Sequence, residues 1–474
     1  MEEMRFLVPV NLDVDKLISE NQGLFDAAKL RKAPLLYILD AITKSRALRR
    51  RKMDEVGTDL TSLSSAVLDK VIYNYNQYLN FLLAQGVIVT DNYFIVGEKS
   101  RWYGFNYPYN GQKLKQVGIV DYLLRRSIKR NRERDEIEAK KSTWGYGYLT
   151  KWWDSGRLRI NTWGAYAWIA KDRFNRIAAI QASSIPIHEK IVAIENAKNR
   201  AQDFKYLVDS INKRGYSYKF RGISKRFYNP LSNLKKELRS FCTYDGISLY
   251  DIDVKNSQPF CSIPLFSKKF WEEGNKRNSL EGIDKEIYKE IKESGNLDTI
   301  ITLLKTDEKL SCKGFDVKKY IDLVTSGSFY EFIQAHFEPL YPTRFDTRAK
   351  VKKEVLRIFF SDPNVHSLLF YKPAQTFKEL FPTVYELFKL IQQSGKNYLP
   401  IILQRIESYL MLDVVCKSIS KLHPEIPLFT IHDNIITTKG NEDIVEDILL
   451  KEIENWLGYK PSIGREDLSI KNVA

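Results

Sequence analysis

Residues 248–260 read SLYDIDVKNSQPF, and this stretch is the starting point for the fold. Tyr250, Ile252 and Val254 alternate with polar residues, and this two-residue period predicts a β-strand. The polar residues and the proline of 255–260 then favour a turn or the first turn of a helix. An aspartate at the end of such a strand can present its carboxylate at the edge of a sheet.

A second stretch, LFTIHDNIITTKG at 428–440, places polar residues in the middle of an apolar run. Its β-branched and apolar residues predict strands, and Lys439-Gly440 marks a turn at its end. His432 and Asp433 interrupt the apolar run. The sequence therefore predicts a β-hairpin whose tip, or an adjacent bend, displays Asp433.

The carboxylates of the two stretches suggest a metal site. Asp251 and Asp253 are two residues apart on the predicted strand, so they share one face. A carboxylate in an apolar strand is costly unless it is paired or metal-bound. Taken alone, Asp433 could pair with a buried arginine, and the other two could lie on a half-exposed strand. Together they favour a site for two Mg²⁺ ions, or Mn²⁺, about 4 Å apart, which would activate a 3′-hydroxyl and hold a triphosphate.

A third stretch, TRAKVKKEVLRIFF at 347–360, predicts a helix. Arg348, Lys352, Leu356 and Phe360 are each four residues apart, so they form one stripe along it. Two cations and an aromatic ring suit a nucleoside triphosphate, with the charges on the phosphates and the ring against the base. The alternative is an amphipathic helix whose basic side chains extend to solvent.

The three stretches, in this order, resemble the motifs of the A-family DNA polymerases and the related phage-type single-subunit RNA polymerases. His432-Asp433 resembles the His-Asp pair of the third palm motif, and Asp253 before its turn resembles the first palm motif. Arg348, Lys352 and Phe360 match the spacing of the middle motif. The resemblance covers about 220–460 and implies a right-hand polymerase of the α+β class, with an antiparallel palm sheet and helical fingers.

The same resemblance implies roles for individual residues. Asp253 and Asp433 would be the catalytic metal ligands, with Asp251 as the alternative ligand on the first strand. Arg348 and Lys352 would bind the nucleotide phosphates. Further nucleotide contacts would come from Phe360 and Gln258, and contacts to primer and template from Arg226, Arg239, Lys255, Gln404 and His432.

Two positions bear on the choice of sugar. Gln258 occupies the position where the DNA polymerases of the family hold a glutamate against the sugar, and Phe360 lacks the hydroxyl of the tyrosine that the RNA polymerases use. Both favour a DNA-directed DNA polymerase. The alternatives are a single-subunit RNA polymerase or primase, and a non-catalytic nucleic-acid-binding replication protein.

Composition is consistent with these partners. The 474-residue chain has a formal net charge of +15, which favours an anionic partner such as nucleic acid. We find no apolar run near the roughly 20 residues that span a bilayer and no signal-peptide pattern, so we expect a cytoplasmic protein without a membrane partner. A compact polymerase of this kind suggests a phage or mobile element.

The four scattered cysteines are expected to be free thiols, and with only five histidines a catalytic metal is expected to have oxygen ligands.

The first half of the chain matches no motif. Apolar clusters at 35–42 and 79–83 have helical spacing, so we expect a mostly helical region acting as thumb or template-binding part. The stretch YLLRRSIKRNRERDEIEAKK at 122–141 predicts a basic helix, which is either a solvated face or a phosphate-backbone contact. The expected organisation is an N-terminal region at 1–220, a first palm part at 221–265, fingers at 266–395 and a second palm part at 396–474.

Overall fold

The computed structural model describes residues 3–21, 30–50, 58–95, 100–222, 224–274, 278–307, 314–341, 343–361, 371–395 and 397–469. The strands are β1 Met4–Pro9, β2 Thr61–Ser62, β3 Ile88–Thr90, β4 Trp102–Phe105, β5 Leu114–Ile119, β6 Leu158–Ile160, β7 Lys219–Arg221, β8 Arg226–Tyr228, β9 Cys242–Tyr244, β10 Ile247–Val254, β11 Phe429–Ile431, β12 Asn434–Thr438 and β13 Ile463–Asp467.

The helices of the first half are α1 Val14–Ser19, α2 Lys32–Leu48, α3 Ser65–Val71, α4 Tyr75–Ala84, α5 Tyr122–Ser142, α6 Gly147–Asp154, α7 Thr162–Ala182 and α8 Ile187–Asn212. Those of the second half are α9 Pro230–Asn233, α10 Lys236–Arg239, α11 Ser257–Phe260, α12 Lys268–Trp271, α13 Leu280–Ile283, α14 Lys285–Glu293, α15 Asn296–Asp307, α16 Gly314–Ser326, α17 Phe329–Phe337, α18 Arg348–Phe360, α19 Lys372–Leu380, α20 Pro382–Ser394, α21 Tyr398–Ser408, α22 Lys417–Leu422 and α23 Glu442–Leu457. A 3₁₀-helix at Ile263–Phe266 and a π-helix at Tyr409–Cys416 complete them.

The largest sheet is built around β10, the strand predicted from 248–254. It is antiparallel in the order β11-β12-β10-β9-β6, and β13 pairs with β10 on the side opposite β12. The antiparallel sheet expected from the two aspartate motifs is therefore present. The pairing of β13 with β10 was not predicted, because no motif in the sequence marks it.

Two tight hairpins shape this sheet. Asp245 and Gly246 join β9 to β10 with φ of +51° and +80°, as a two-residue hairpin of the primed type requires. His432 and Asp433 join β11 to β12, and His432 has a φ of +56°. The predicted hairpin is thus present, and Asp433 lies in its turn.

The segment between the aspartate motifs is helical. Within the described part of 266–395 every regular element is a helix, and these helices enclose an aromatic core. Phe329, Phe377, Phe381 and Phe388 pack around or near Tyr320, whose ring is fully buried. Beside this core α17 packs against α18, and α18 also packs against α21.

The first half is more mixed than expected. The predicted helices are present as α2 and α4, and Leu35, Ile38, Leu39 and Ile42 are fully buried. The expectation of a mostly helical region was nevertheless incomplete, because β1 pairs with β5, and β4 lies between β2 and β3. Strands of two to six residues give too few alternations to stand out beside long helices.

Two hydrophobic cores are present among the described residues. One extends from Phe6 to Leu124, and the other begins at Leu149 and includes the large sheet. Helices α6 to α8 therefore pack with the sheet that carries the aspartates.

Three of the cysteines are free and buried, namely Cys242, Cys261 and Cys416, whereas Cys312 lies outside the described residues. No described helix combines the length and apolar character needed to cross a bilayer.

Candidate active site

Asp253 and Asp433 come together at the end of the central sheet. Asp253 is the penultimate residue of β10 and pairs with Asn434, the residue that follows Asp433 in the hairpin. Burial, followed by the neighbouring charge of Asp433, raises the pKa of Asp253 to about 7. A carboxylate that is disfavoured from ionising by a neighbouring carboxylate gains from a bound cation.

Asp251 lies behind this pair on the same face of β10. Its side chain is almost fully buried, and the Nδ2 atom of Asn434 donates a hydrogen bond of 2.7 Å to its Oδ1 atom. Burial raises the pKa of Asp251 to about 6, and this hydrogen bond opposes the increase. Asp251 therefore has a protein partner of its own, which makes Asp253 the more available ligand of the two.

The donor set fits a hard divalent cation. Asp253 and Asp433 supply carboxylate oxygens, and the hydroxyl of Ser257 donates to Oδ2 of Asp433 and so orients that side chain. Among the described residues no group of three or more acidic, histidine or cysteine side chains could hold a metal ion. A bound Mg²⁺ would therefore use these two carboxylates together with water and substrate oxygens, as Mg²⁺ commonly does.

Helix α18 brings two of its three predicted nucleotide-binding residues to the site. Lys352 is exposed, and its charge lowers the pKa of Asp253. Arg348 donates from Nη2 to Oδ1 of Asn256, at 3.0 Å, and from Nε to Glu331, at 2.7 Å. Phe360 lies at the other end of the helix, roughly 18 Å from Arg348 along its axis, and packs against the core. Lys352 is therefore near Asp253 and Arg348 contacts Asn256, three residues further along the chain, while the ring lies at a distance.

The sequence motifs missed a buried acid, Glu407 on α21. Its carboxylate accepts two hydrogen bonds from Nη2 of Arg226, at 2.7 and 2.8 Å, and a further one from Nε2 of Gln258. Burial raises the pKa of Glu407 to about 7, and Asp433 contributes in the same direction. Two predicted site residues, Arg226 and Gln258, thus meet on Glu407 close to the aspartate pair.

Tyr330 on α17 is a second residue that the motifs missed. Its ring is buried and lies 5.1 Å below the guanidinium of Arg348. Its hydroxyl has no hydrogen-bond partner among the described residues. Burial raises the pKa of Tyr330 above its usual range, and Asp433 adds to that increase. The hydroxyl is therefore a neutral donor beside the site. No spacing rule connects it to the stripe on α18.

The four remaining residues predicted to contact nucleic acid differ in how deeply they are buried. Arg239 is buried, and its Nε donates to the carbonyl oxygens of Leu231 and Leu234, at 3.1 and 3.2 Å. Its guanidinium thus supports the chain before β9 from inside. Lys255 is exposed just beyond β10, and Gln404 is half-buried on α21. His432 is half-buried, with its ring edge-on to Tyr228 at 5.9 Å.

Comparison with known proteins gives no match to a protein-family model and none to a curated protein. Among solved structures, the chain is similar to the POL domain of Pol1 from M. smegmatis, in complex with DNA primer-template and dNTP. The TM-score is 0.34 and the identity 11%, and the match covers 62% of this chain and 56% of that chain. The chain thus spans little more than half the length of that structure. At this level of similarity, function has to be argued from the site itself.

Proposed function

We propose that this protein is a template-directed nucleotidyltransferase, and specifically a DNA-directed DNA polymerase. The observation that carries the proposal is the proximity of Asp253 to Asp433 at the end of an antiparallel sheet, with Lys352 of α18 near Asp253. In this proposal 221–265 and 396–474 form the palm, 266–395 the fingers, and 1–220 a thumb or template-binding region. The net charge of +15 suits a nucleic-acid template and primer.

Each residue of the site has a separate role in the proposed reaction. Asp253 and Asp433 would hold Mg²⁺, which when bound supplies charge neutralisation at the attacking and leaving oxygens. Arg348 and Lys352 neutralise the β- and γ-phosphates and stabilise the charge that develops on the leaving pyrophosphate. Ser257 keeps the carboxylate of Asp433 oriented. Lys255, exposed beside the strand end, contacts the nucleic-acid backbone.

The sugar preference rests on Gln258. Gln258 is held by its hydrogen bond to Glu407, so its side chain has a fixed direction next to Asp433. A fixed, bulky amide near the sugar disfavours a 2′-hydroxyl. We therefore favour deoxynucleotides over ribonucleotides as substrates.

Primer extension on a primed DNA template tests the proposal. We expect Mg²⁺-dependent extension with dNTPs and much less with rNTPs. Replacing Asp433→Asn should abolish extension but leave template binding close to that of the wild type, because one metal ligand is lost while the basic surfaces remain. Asp447→Asn, an exposed aspartate on α23, is the matched control and should extend normally.

Other outcomes of the same assay have definite meanings. Extension with rNTPs alone would make the protein an RNA polymerase or primase. Salt-sensitive template binding without extension by either set of nucleotides would favour a non-catalytic nucleic-acid-binding protein. Undiminished extension by Asp433→Asn would exclude the assigned metal site.

A further inference from the structure

Helix α5 is a long basic helix that connects the two cores. Its first turn contains Leu124, the last residue of the first core. The helix ends shortly before Leu149, the first residue of the second core. One of its faces is turned inward. Leu124 is buried, and Ile128, Arg132 and Asp135 line a cleft of about 410 Å³ against β1 and α2. The cleft therefore identifies which side of the helix faces the protein.

The opposite side of α5 carries positive charge. Arg126, Arg130 and Arg134 are exposed and four residues apart, so they form one row pointing away from the cleft. The helix holds eight basic and four acidic side chains. Of the acidic ones, Asp135 lines the cleft and Glu133 lies 3.9 Å from Lys129. Glu138 follows Arg134 by four residues and ends this row, so the row is basic at Arg126, Arg130 and Arg134 and acidic at its last position.

An exposed aromatic residue lies just beyond the C-terminal end of the helix. Trp144 follows α5 by two residues and is 87% exposed, although an indole ring usually finds apolar cover in a folded protein. Tyr122, the first residue of the helix, is 61% exposed. A basic track flanked by uncovered rings is the combination with which proteins bind single-stranded nucleic acid, phosphates on the cations and bases on the rings.

The position of α5 relative to the aspartates supports the same partner. The helix packs against β7, and β7 pairs with β8. The first residue of β8 is Arg226, which reaches Glu407 beside Asp433. Lys219 on β7 and the exposed Lys225 extend the positive charge along this ribbon. A nucleic-acid strand bound on α5 would therefore lie beside the β7–β8 ribbon, which contains Arg226.

We infer that α5 and Trp144 form a binding surface for single-stranded nucleic acid. The row of arginines binds the phosphates, and the indole of Trp144 stacks on an unpaired base. The surface spans roughly 30 Å. The inference rests on the proposed function in one respect, because it identifies the bound strand as the unpaired template.

Binding of a fluorescent oligothymidylate, followed by anisotropy at several salt concentrations without Mg²⁺ or nucleotides, tests the inference. The variant Arg126→Gln/Arg130→Gln/Arg134→Gln should bind at least about tenfold more weakly, and its plot of log affinity against log salt should be flatter by about 2. The matched control, Lys285→Gln/Lys289→Gln/Lys451→Gln, removes three exposed lysines elsewhere and should bind like the wild type. Trp144→Ala should weaken binding about tenfold with an unchanged salt slope.

Several results would overturn the inference. Wild-type affinity and slope in the triple arginine variant would exclude the phosphate contacts, and wild-type affinity in Trp144→Ala would exclude the stacked base. Equal affinity for a duplex, lost equally in the variants, would exclude single-strand recognition. If the triple variant is unfolded by circular dichroism, Arg130→Gln and Trp144→Ala alone decide between these results. The binding assay contains neither Mg²⁺ nor nucleotides and involves no extension, so a failure of binding and a failure of extension remain distinguishable.

Discussion

Glu407 shows what a single buried charge contributes in this molecule. Its carboxylate is 2% exposed, and its partners Arg226 and Gln258 come from two different segments. A carboxylate in such surroundings is costly to ionise even when it is paired. The network therefore fixes Arg226 and Gln258 relative to Asp433 while its own stability depends on pH.

That dependence has a definite sign. The pKa of Glu407 rises from 4.5 to about 7 on folding. Between these values the folded protein holds a proton that the unfolded chain has lost, so the free energy of unfolding falls as pH rises, by at most about 1.4 kcal/mol per pH unit. Above about 7 this group no longer makes the free energy of unfolding depend on pH, and the loss accumulated by then remains. In Glu407→Gln this contribution should vanish. Urea unfolding of both proteins between about pH 5 and pH 8 measures it, and parallel curves would assign the proton elsewhere.

The aspartates could be found from the sequence because charged residues are conspicuous within apolar strands. Asp253 and Asp433 each interrupt such a run, and the structure brings them together. Glu407 and Tyr330 gave no comparable signal, since an acid or a tyrosine in a helix is ordinary. Their proximity to Asp433 depends on the packing of α17 and α21, which no local pattern encodes.

At the scale of secondary structure, the site depends on one helix and one hairpin. Helix α18 begins at a cap provided by Thr347, whose hydroxyl accepts from the backbone amide of Lys350. The predicted helix is therefore confirmed, and its four-residue spacing places Arg348 and Lys352 on the side facing Asp253. The same spacing gave no warning that Phe360, three turns away, packs against the core.

The charge on α18 can be tested one position at a time. Lys352→Ala should raise the KM for dNTPs about tenfold or more, because a charge-assisted contact to a phosphate contributes about 1.5–3 kcal/mol. Lys353→Ala is the matched control, since Lys353 is equally exposed on the same helix but off the stripe. Steady-state extension kinetics distinguish the two. Equal effects of both variants would indicate a general charge effect instead of a phosphate contact.

The hairpin turn requires a left-handed backbone conformation at His432. His432 has a φ of +56°, a region that β-branched residues avoid and that asparagine tolerates. His432→Val should therefore displace Asp433 and reduce extension strongly, with a conformational cost of about 1–3 kcal/mol. His432→Asn keeps the turn and should retain more activity. Extension assays combined with thermal unfolding check both variants, and an inactive but equally stable His432→Asn would indicate a role for the imidazole itself.

At the scale of the whole molecule, the question is what holds the two cores together. One fully buried connection between them is ionic. Asp203 on α8 is fully buried, and Nε of Arg46 on α2 donates to its two oxygens at 3.0 and 3.1 Å. Arg50 adds a contact of 3.2 Å and also pairs with Asp59 at 2.7 Å. Because α2 belongs to the first core and α8 to the second, this cluster joins them.

Replacing Asp203, whose carboxylate contacts both Arg46 and Arg50, tests this connection between the two cores. Asp203→Ala leaves Arg46 buried without the carboxylate it binds, and breaking a buried pair in this way costs about 3–5 kcal/mol. Glu189→Ala, an exposed acid on the same helix, should change the free energy of unfolding by less than about 0.5 kcal/mol. Urea unfolding followed by tryptophan fluorescence and by far-ultraviolet circular dichroism measures both variants. If the cluster couples the cores, the wild type unfolds in one transition and Asp203→Ala in two, because the smaller core then unfolds first. A small loss with a single transition would mean that apolar contacts between α2 and α8 are sufficient to join them.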